Sequence, residues 1–216
     1  ARNVQDLHLT LVRNENAYYC CVAQLCTTLP LPLPHLPALY LAGDSHSLSP
    51  SWREVSWRGE THLIHPVLVT GLKAWHLRPG ADFFPKANFE AAMRGIPDGS
   101  PVVFAFGEID CREGLLIAIE RARYKTLEEA ISTVVAIYVA RLTSLASSRS
   151  FRVLVHPVPP VLDATRHIVK LFNATLRAAV QAKPSLHWLD FLDGLLSPDG
   201  DALADGLALD GTHTPS

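Results

Sequence analysis

Ala38-Leu39-Tyr40-Leu41-Ala42-Gly43-Asp44-Ser45-His46 is the stretch whose reading decides the fold. Ala38 to Ala42 is a short apolar run that stops at Gly43, the signature of a strand buried on both faces of a parallel sheet. Outward along the chain, further runs share its character: Leu63 to Thr70, Pro101 to Phe106, Phe151 to His156 and the weaker Leu186 to Phe191. Helical segments lie between them. Thr126 and Glu129 form a T-x-x-E capping box that opens a helix to about Ala146. Asp163 is placed to cap another, running to about Lys183 just before Pro184. Strands alternating with helices imply βαβ crossovers and a parallel five-stranded sheet, with ligands bound beyond the carboxyl ends of its strands.

Upstream the pattern differs. Residues 3–28 read as helix, on a stripe of Leu7, Leu11, Val12, Tyr18, Tyr19, Val22 and Leu25 that breaks near Asn14. Leucine and proline then alternate up to Pro37, and proline fixes φ and removes amide donors, so this segment reads as a stiff linker. The expected organisation is a helical appendage or the end of an upstream helical region over 1–29, a Pro-rich linker over 30–37, and an α/β domain over 38–216. The start at Ala1 and the end shortly after His213 read as an excerpt of a longer protein, with flanking domains or assembly partners expected.

The chain of 216 residues is long enough to bury a core without metals or disulfides. Nineteen basic against twenty-one acidic residues, with no basic run, argue against nucleic acid and lipid surfaces as partners and for a small or neutral one. Cys20, Cys21, Cys26 and Cys111 are not spaced as a disulfide framework or a zinc site. They read as reduced thiols in a cytoplasmic setting. The apolar stretch Ile131 to Ala140 is too short to cross a membrane. The sequon at Asn173 falls inside an expected helix.

The chemistry gathers where strands end. Gly43-Asp44-Ser45-His46 follows the first strand, Gly107-Glu108-Ile109-Asp110-Cys111-Arg112 follows the third, and Asp210-Gly211-Thr212-His213 lies near the C-terminus. A serine hydroxyl is a poor nucleophile until a base takes its proton, and that base must be oriented by a third group. Asp210 and His213, three residues apart, share a face on one helical turn, so the carboxylate can hold one ring nitrogen while the other faces Ser45. Gly43 allows a sharp turn at the strand end, which would aim the Ser45 amide into the site as an oxyanion donor.

Gly-Asp-Ser after the first strand, with Asp-x-x-His near the end, resembles the first and last blocks of the SGNH (GDSL-like) hydrolases. The resemblance covers roughly Ala38 to His213. It implies a three-layer, flavodoxin-like α/β fold and removal of acyl groups from esters, lipids or sugars. It implies Ser45 as nucleophile, His213 as base and Asp210 as its orienter. Two further oxyanion donors are implied: a glycine amide after the second strand, for which Gly71 is the candidate, and an asparagine in a Gly-x-Asn-Asp block. Here the sequence departs, because Ile109 stands at the asparagine position and cannot donate a hydrogen bond. Either Arg112, Arg53 or Arg58 supplies the missing donor, or two amides suffice, or the domain is a weak or inactive relative. Arg112 is the first choice, and its competing fate is to pair with Glu108 or Asp110 and face away.

Other residues carry a functional and a structural reading side by side. His46 lines the pocket or caps the following turn. Glu108 binds substrate or joins a local network with Arg112, and Asp110 is read as structural. Trp52 and Trp57 are the best substrate-wall candidates among the tryptophans, which are more often core. His62 and His65 form an H-x-x-H that a strand would point to opposite faces, so no metal is expected there. Two functions follow: an esterase or deacylase acting on a small acyl ester or acylated carbohydrate without a cofactor, or a non-catalytic module of the same fold that binds or scaffolds.

Overall fold

In the computed structural model, which describes residues 22, 23, 26, 27, 29, 32–80, 82–159, 163–198, 200, 203, 204, 206 and 207, β1 (Ala38–Gly43) is the central strand of a curled, mixed sheet. Its neighbours are β3 (Glu60–Leu68) on one side and β4 (Pro101–Ala105) on the other, both parallel to it. β5 (Arg152–Val155) and β6 (Leu186–Trp188) continue the parallel set beyond β4. The full order is β2-β3-β1-β4-β5-β6. From β1 the chain moves first to one side and then to the other, so the carboxyl ends of β1 and β4 form a topological switch point.

The sheet has six strands rather than five, and the sixth is antiparallel. β2 (Glu54–Trp57) pairs with β3 as a hairpin across Arg58 and Gly59. Both turn residues have positive φ, +52° and +82°, the conformation that matches the twist of two-residue hairpins. The segment after Ser45, outside the five expected strands, is therefore partly strand. Glu54-Val55-Ser56-Trp57 alternates exposed and half-buried positions, a period-2 signal too short to stand out.

Three long helices cross between the strands. α1 (Phe84–Gly95) joins β3 to β4 and was not legible as a helix in the sequence. Its Pro85 sits in the first turn, where a missing N–H costs nothing. The short α2 (Leu115–Glu120) and then α3 (Leu127–Ser148) join β4 to β5. Thr126 caps α3 as expected, its Oγ1 accepting from the Glu129 N–H (3.2 Å), but Glu129 Oε2 accepts from the Lys125 N–H (2.8 Å), one residue before the position a capping box uses. α4 (Arg166–Gln181) joins β5 to β6. It begins after a 3-10 turn at Asp163–Thr165, so the cap expected at Asp163 lies one turn early.

The main core forms between these helices and one face of the sheet. Phe89 and Met93 of α1, Ile131, Tyr138 and Leu142 of α3, and Ile168, Phe172 and Leu176 of α4 meet Ala42, Val102, Phe104 and Val153. By length and hydropathy α3 is the one helix among the described residues that would suffice to span a membrane. Its buried residues follow a helical stripe into this core, as a central helix requires. The other face carries a smaller cluster of Leu39, Leu41, Val103 and Leu154. Of the expected appendage, Val22, Ala23, Cys26 and Thr27 are helical, and residues 33–37 have no regular structure.

Two glycines are dictated by space. A Cβ on Gly43 would sit 3.0 Å from the Ala105 carbonyl oxygen, so close approach of β1 and β4 explains this residue better than the sharp turn expected from sequence. Gly107 combines a φ of +124° with Phe172 and Val158 atoms 2.8 and 2.9 Å from where a Cβ would stand. Gly107→Ala is therefore expected to cost about 2–4 kcal/mol, overpacking and a disfavoured backbone together. A lowered urea midpoint with an unchanged m-value is the check, and a midpoint like that of the parent would count against this account of the turn.

Candidate functional site

The switch point holds a cavity of about 350 Å³ at the carboxyl ends of β1, β4 and β5. Its polar end is formed by Asp44, His46, Glu108 and His156, and Arg53 lines it too. The remaining wall is largely apolar, with Leu41, Phe106, Val158, Phe191, Leu195 and Leu203 among its members. That balance, an apolar pocket with a few convergent polar groups, is usual for small-molecule sites.

Ser45 opens a 3-10 turn, Ser45–Leu48, directly after β1. The turn is built around Asp44, which is only 2% exposed. Asp44 Oδ1 accepts from the His46 backbone N–H (3.0 Å) and meets His46 Nδ1 at 2.8 Å. Burial alone would raise the Asp44 carboxyl. The His46 charge and its hydrogen bonds, helped by Arg112, outweigh burial and hold the group below its ordinary value. Ser47 N–H and Oγ both donate to Asp44 O, and Ser51 Oγ donates to Ser47 O, closing the turn. Ser45 itself is half-buried; its neighbours Asp44 and His46 line the cavity and Ser45 does not.

The block after β4 contributes in three different ways. Glu108 is buried at 5% exposure and lines the cavity. Burial raises its carboxyl above the ordinary range, and Asp44 and Glu113 add to the rise against the pull of His46 and Arg112. Ile109 is half-buried and does not line the cavity. Asp110 is fully enclosed and faces the other way, accepting from the Ala74 N–H (2.6 Å) and the Trp75 N–H (3.3 Å) of the turn after β3. Burial lifts Asp110 to about 7 even against those bonds. Asp110 is a clamp between two loops, as expected. Cys111 is buried, its thiol pushed well up by desolvation, and is unpaired with any cysteine.

Of the two fates open to Arg112, the structure adopts the pairing: Nε lies 3.4 Å from Glu108 Oε1, and the side chain is not part of the cavity wall. Gly71 takes a φ of +69° in an exposed turn after β3, also outside the wall. Neither tryptophan lines the cavity. Trp52 has a positive φ of +62°, donates its backbone N–H to Ile64 O (2.8 Å) and packs edge-on against His65. Trp57 lies on β2 against His62, with Arg58 and Arg152 over its ring. His62 and His65 thus separate to different neighbours. Asp210 and His213 lie outside the described residues, as do Cys20 and Cys21.

Sequence reasoning missed His156 and Asn173. His156 was read only as the end of a strand. Its Nδ1 faces Pro157 O at 2.5 Å, and desolvation lowers its ring to about 4, so it stands neutral in the cavity wall. Asn173 is buried on α4, where Oδ1 accepts from the Val158 N–H and Nδ2 donates to Val158 O, both at 2.8 Å. It pins the cavity loop after β5, and its amide is unavailable for a glycan. Asp44, His46 and Glu108 come within 4.8 Å of one another, close enough for a shared cation. The bonds from His46 to Asp44 and the Arg112 charge beside Glu108 already occupy that role.

No family model and no curated protein matches the chain by sequence. The α/β fold has solved counterparts. One, from Streptococcus pneumonia and assigned provisionally to platelet activating factor, matches at a TM-score of 0.57 and 14% identity, over 94% of this chain and 86% of that one. A lipase from a goat rumen metagenome matches at a TM-score of 0.53 and 14% identity, over 83% of this chain and 90% of that one. At such identity the likeness is one of fold.

His46→Ala would leave the Asp44 carboxylate buried without its partner. The expected loss is about 3–5 kcal/mol at neutral pH. In the parent, the contribution of Asp44 is full above its unfolded value of 3.8 and is lost as pH falls through its lowered folded value. In the variant, only the backbone N–H of residue 46 and Arg112 still oppose burial, so the carboxyl takes up a proton at higher pH and the deficit should narrow on acidification. Urea unfolding between neutral pH and about pH 4 checks this. A deficit that does not change with pH would show that the pair is not its source.

Proposed function

We propose that the chain is a serine-nucleophile hydrolase of the SGNH type, an esterase or deacylase. The observation that carries this reading is the position of the Gly43-Asp44-Ser45 turn. It ends the central strand at the switch point, beside a mainly apolar cavity whose polar end is drawn from β1, β4 and β5. The fold shared with a lipase supports it. Asp210 and His213 enter through their motif.

In this reading Ser45 Oγ attacks the ester carbonyl while His213 takes its proton, oriented by Asp210. The Ser45 amide receives the oxyanion. Collapse expels the alcohol, which leaves with the proton from His213. Water then repeats the sequence on the acyl-enzyme. No metal or organic cofactor enters these steps. The substrate is a small acyl ester or acylated carbohydrate whose acyl group lies along the apolar wall.

The test is labelling by a fluorophosphonate probe together with hydrolysis of p-nitrophenyl esters. The wild type should label and turn over, Ser45→Ala should do neither, and His213→Ala should lose about 10⁴-fold in kcat. A larger loss in His156→Ala than in His213→Ala would transfer the base to His156. A wild type that neither labels nor hydrolyses would favour the non-catalytic module that the substitution at Ile109 first suggested.

A further inference from the structure

We infer that a second cavity, between the turn after β3 and the loop joining α2 to α3, binds a small carboxylate, with its charged head on Arg121 and Arg123 and a short apolar stem directed inward. The inference is independent of the hydrolase reading above.

This cavity measures about 150 Å³. Pockets for drug-sized ligands begin near ~300 Å³, so it suits a smaller molecule. It shares no lining residue with the cavity at the switch point. Its inner wall includes the buried Leu115 and Val134 and the enclosed Asp110. Its rim is formed by the exposed Ile117, Arg121 and Arg123. A mainly apolar depth under a cationic rim fits a ligand with the matching halves, an apolar stem and an anionic head.

Neither arginine is spent elsewhere on a negative group. Basic residues after a helix often bind its last carbonyls. Here the backbone does so instead: Arg121 N–H donates to Ile117 O (3.1 Å), Ala122 N–H to Ile119 O (2.8 Å) and Arg123 N–H to Ala118 O (3.0 Å). Ala122 takes a φ of +51° in this closure, and the arginines on both sides of it line the cavity. Among the described residues no carboxylate pairs with Arg121 or Arg123. The neighbouring charges are positive or already answered. Arg78 stacks 3.3 Å from the centre of the Trp75 ring, and Arg123 stands 5.7 Å from the same ring. Lys73 meets Glu113 at 2.9 Å. Guanidiniums gathered without a counter-ion are matched by a carboxylate, whose two oxygens accept paired N–H bonds from the planar fork.

The acid in the inner wall selects for low charge. Both Asp110 oxygens accept from the Ala74 and Trp75 N–H groups, so Asp110 does not compete for the arginines. It still repels a second negative group, and a dianion such as phosphate more than a monocarboxylate.

The test is a ¹H–¹⁵N titration of the full chain with acetate, butyrate, inorganic phosphate and butylamine at fixed ionic strength. Butyrate should give saturable shifts at the amides of residues 117–124 and at the Trp75 indole. It should bind about tenfold more tightly than acetate, the gain from burying two further CH₂ groups. Butylamine should leave these signals in place. Arg121→Gln/Arg123→Gln should weaken butyrate at least about tenfold, the effect of losing a charge-assisted bond, while amides away from the loop keep their positions and report an intact fold. Unchanged butyrate affinity in that variant removes the arginines from the site. Shifts that never saturate, or acetate or phosphate binding as tightly as butyrate, overturn the proposal and leave only a charged rim.

Discussion

The bond between Asp44 and His46 is the constraint on which the site depends. A carboxylate at the end of a strand buried on both sides has no water to stabilise it, and no apolar packing can substitute. His46 answers twice, with its backbone N–H and its ring, and it can do so only if the chain curls at once into a 3-10 turn. That curl sets the backbone on which Ser45 stands. The position of the serine is thus a by-product of satisfying its neighbour's charge.

The strands surrounding this turn were legible in the sequence because a parallel sheet favours apolar runs: β1, β4 and most of β5 show one, β3 shows it from Leu63 onward around His65, and β6 keeps only Leu186 and Trp188. β2 escaped notice because an edge strand of four residues needs only alternate burial, and its Glu54 and Ser56 read as loop. α1 was hidden by a different cause. It places only Phe89 and Met93 fully in the core, too sparse a stripe to mark a helix, and its start relies on Pro85 rather than a side-chain cap. The longer α3 and α4 bury a residue on nearly every turn and were plain.

The block after β4 shows the limit of reading a site from residue types. Sequence presents Glu108, Asp110 and Arg112 as one charged group. The structure instead divides them: Asp110 turns away to the β3 turn, while Glu108 lines the cavity with Arg112 as its half-buried partner from the π-helical turn at Asp110–Gly114. His156 and Asn173 were invisible for a related reason, since their roles come from partners on Pro157 and Val158 that only the folded chain brings near. The tryptophans illustrate the reverse error. Proximity in sequence to Ser45 suggested a substrate wall, whereas the hairpin draws Trp57 to the sheet edge and Trp52 to His65.

The hairpin of β2 and β3 has a consequence for how the molecule behaves among its own copies. A parallel sheet exposes unpaired backbone at its two margins, and such margins recruit strands from neighbouring chains. Here β2, with its exposed Glu54, covers Glu60 to Leu63 of the nine-residue β3, and the backbone of Trp52 and Arg53 extends that cover to Ile64. The opposite margin, β6, offers only three residues. Beyond Ile64 the margin of β3 carries Pro66, which has no N–H to offer a neighbouring strand, so the backbone left open along that edge is short and interrupted.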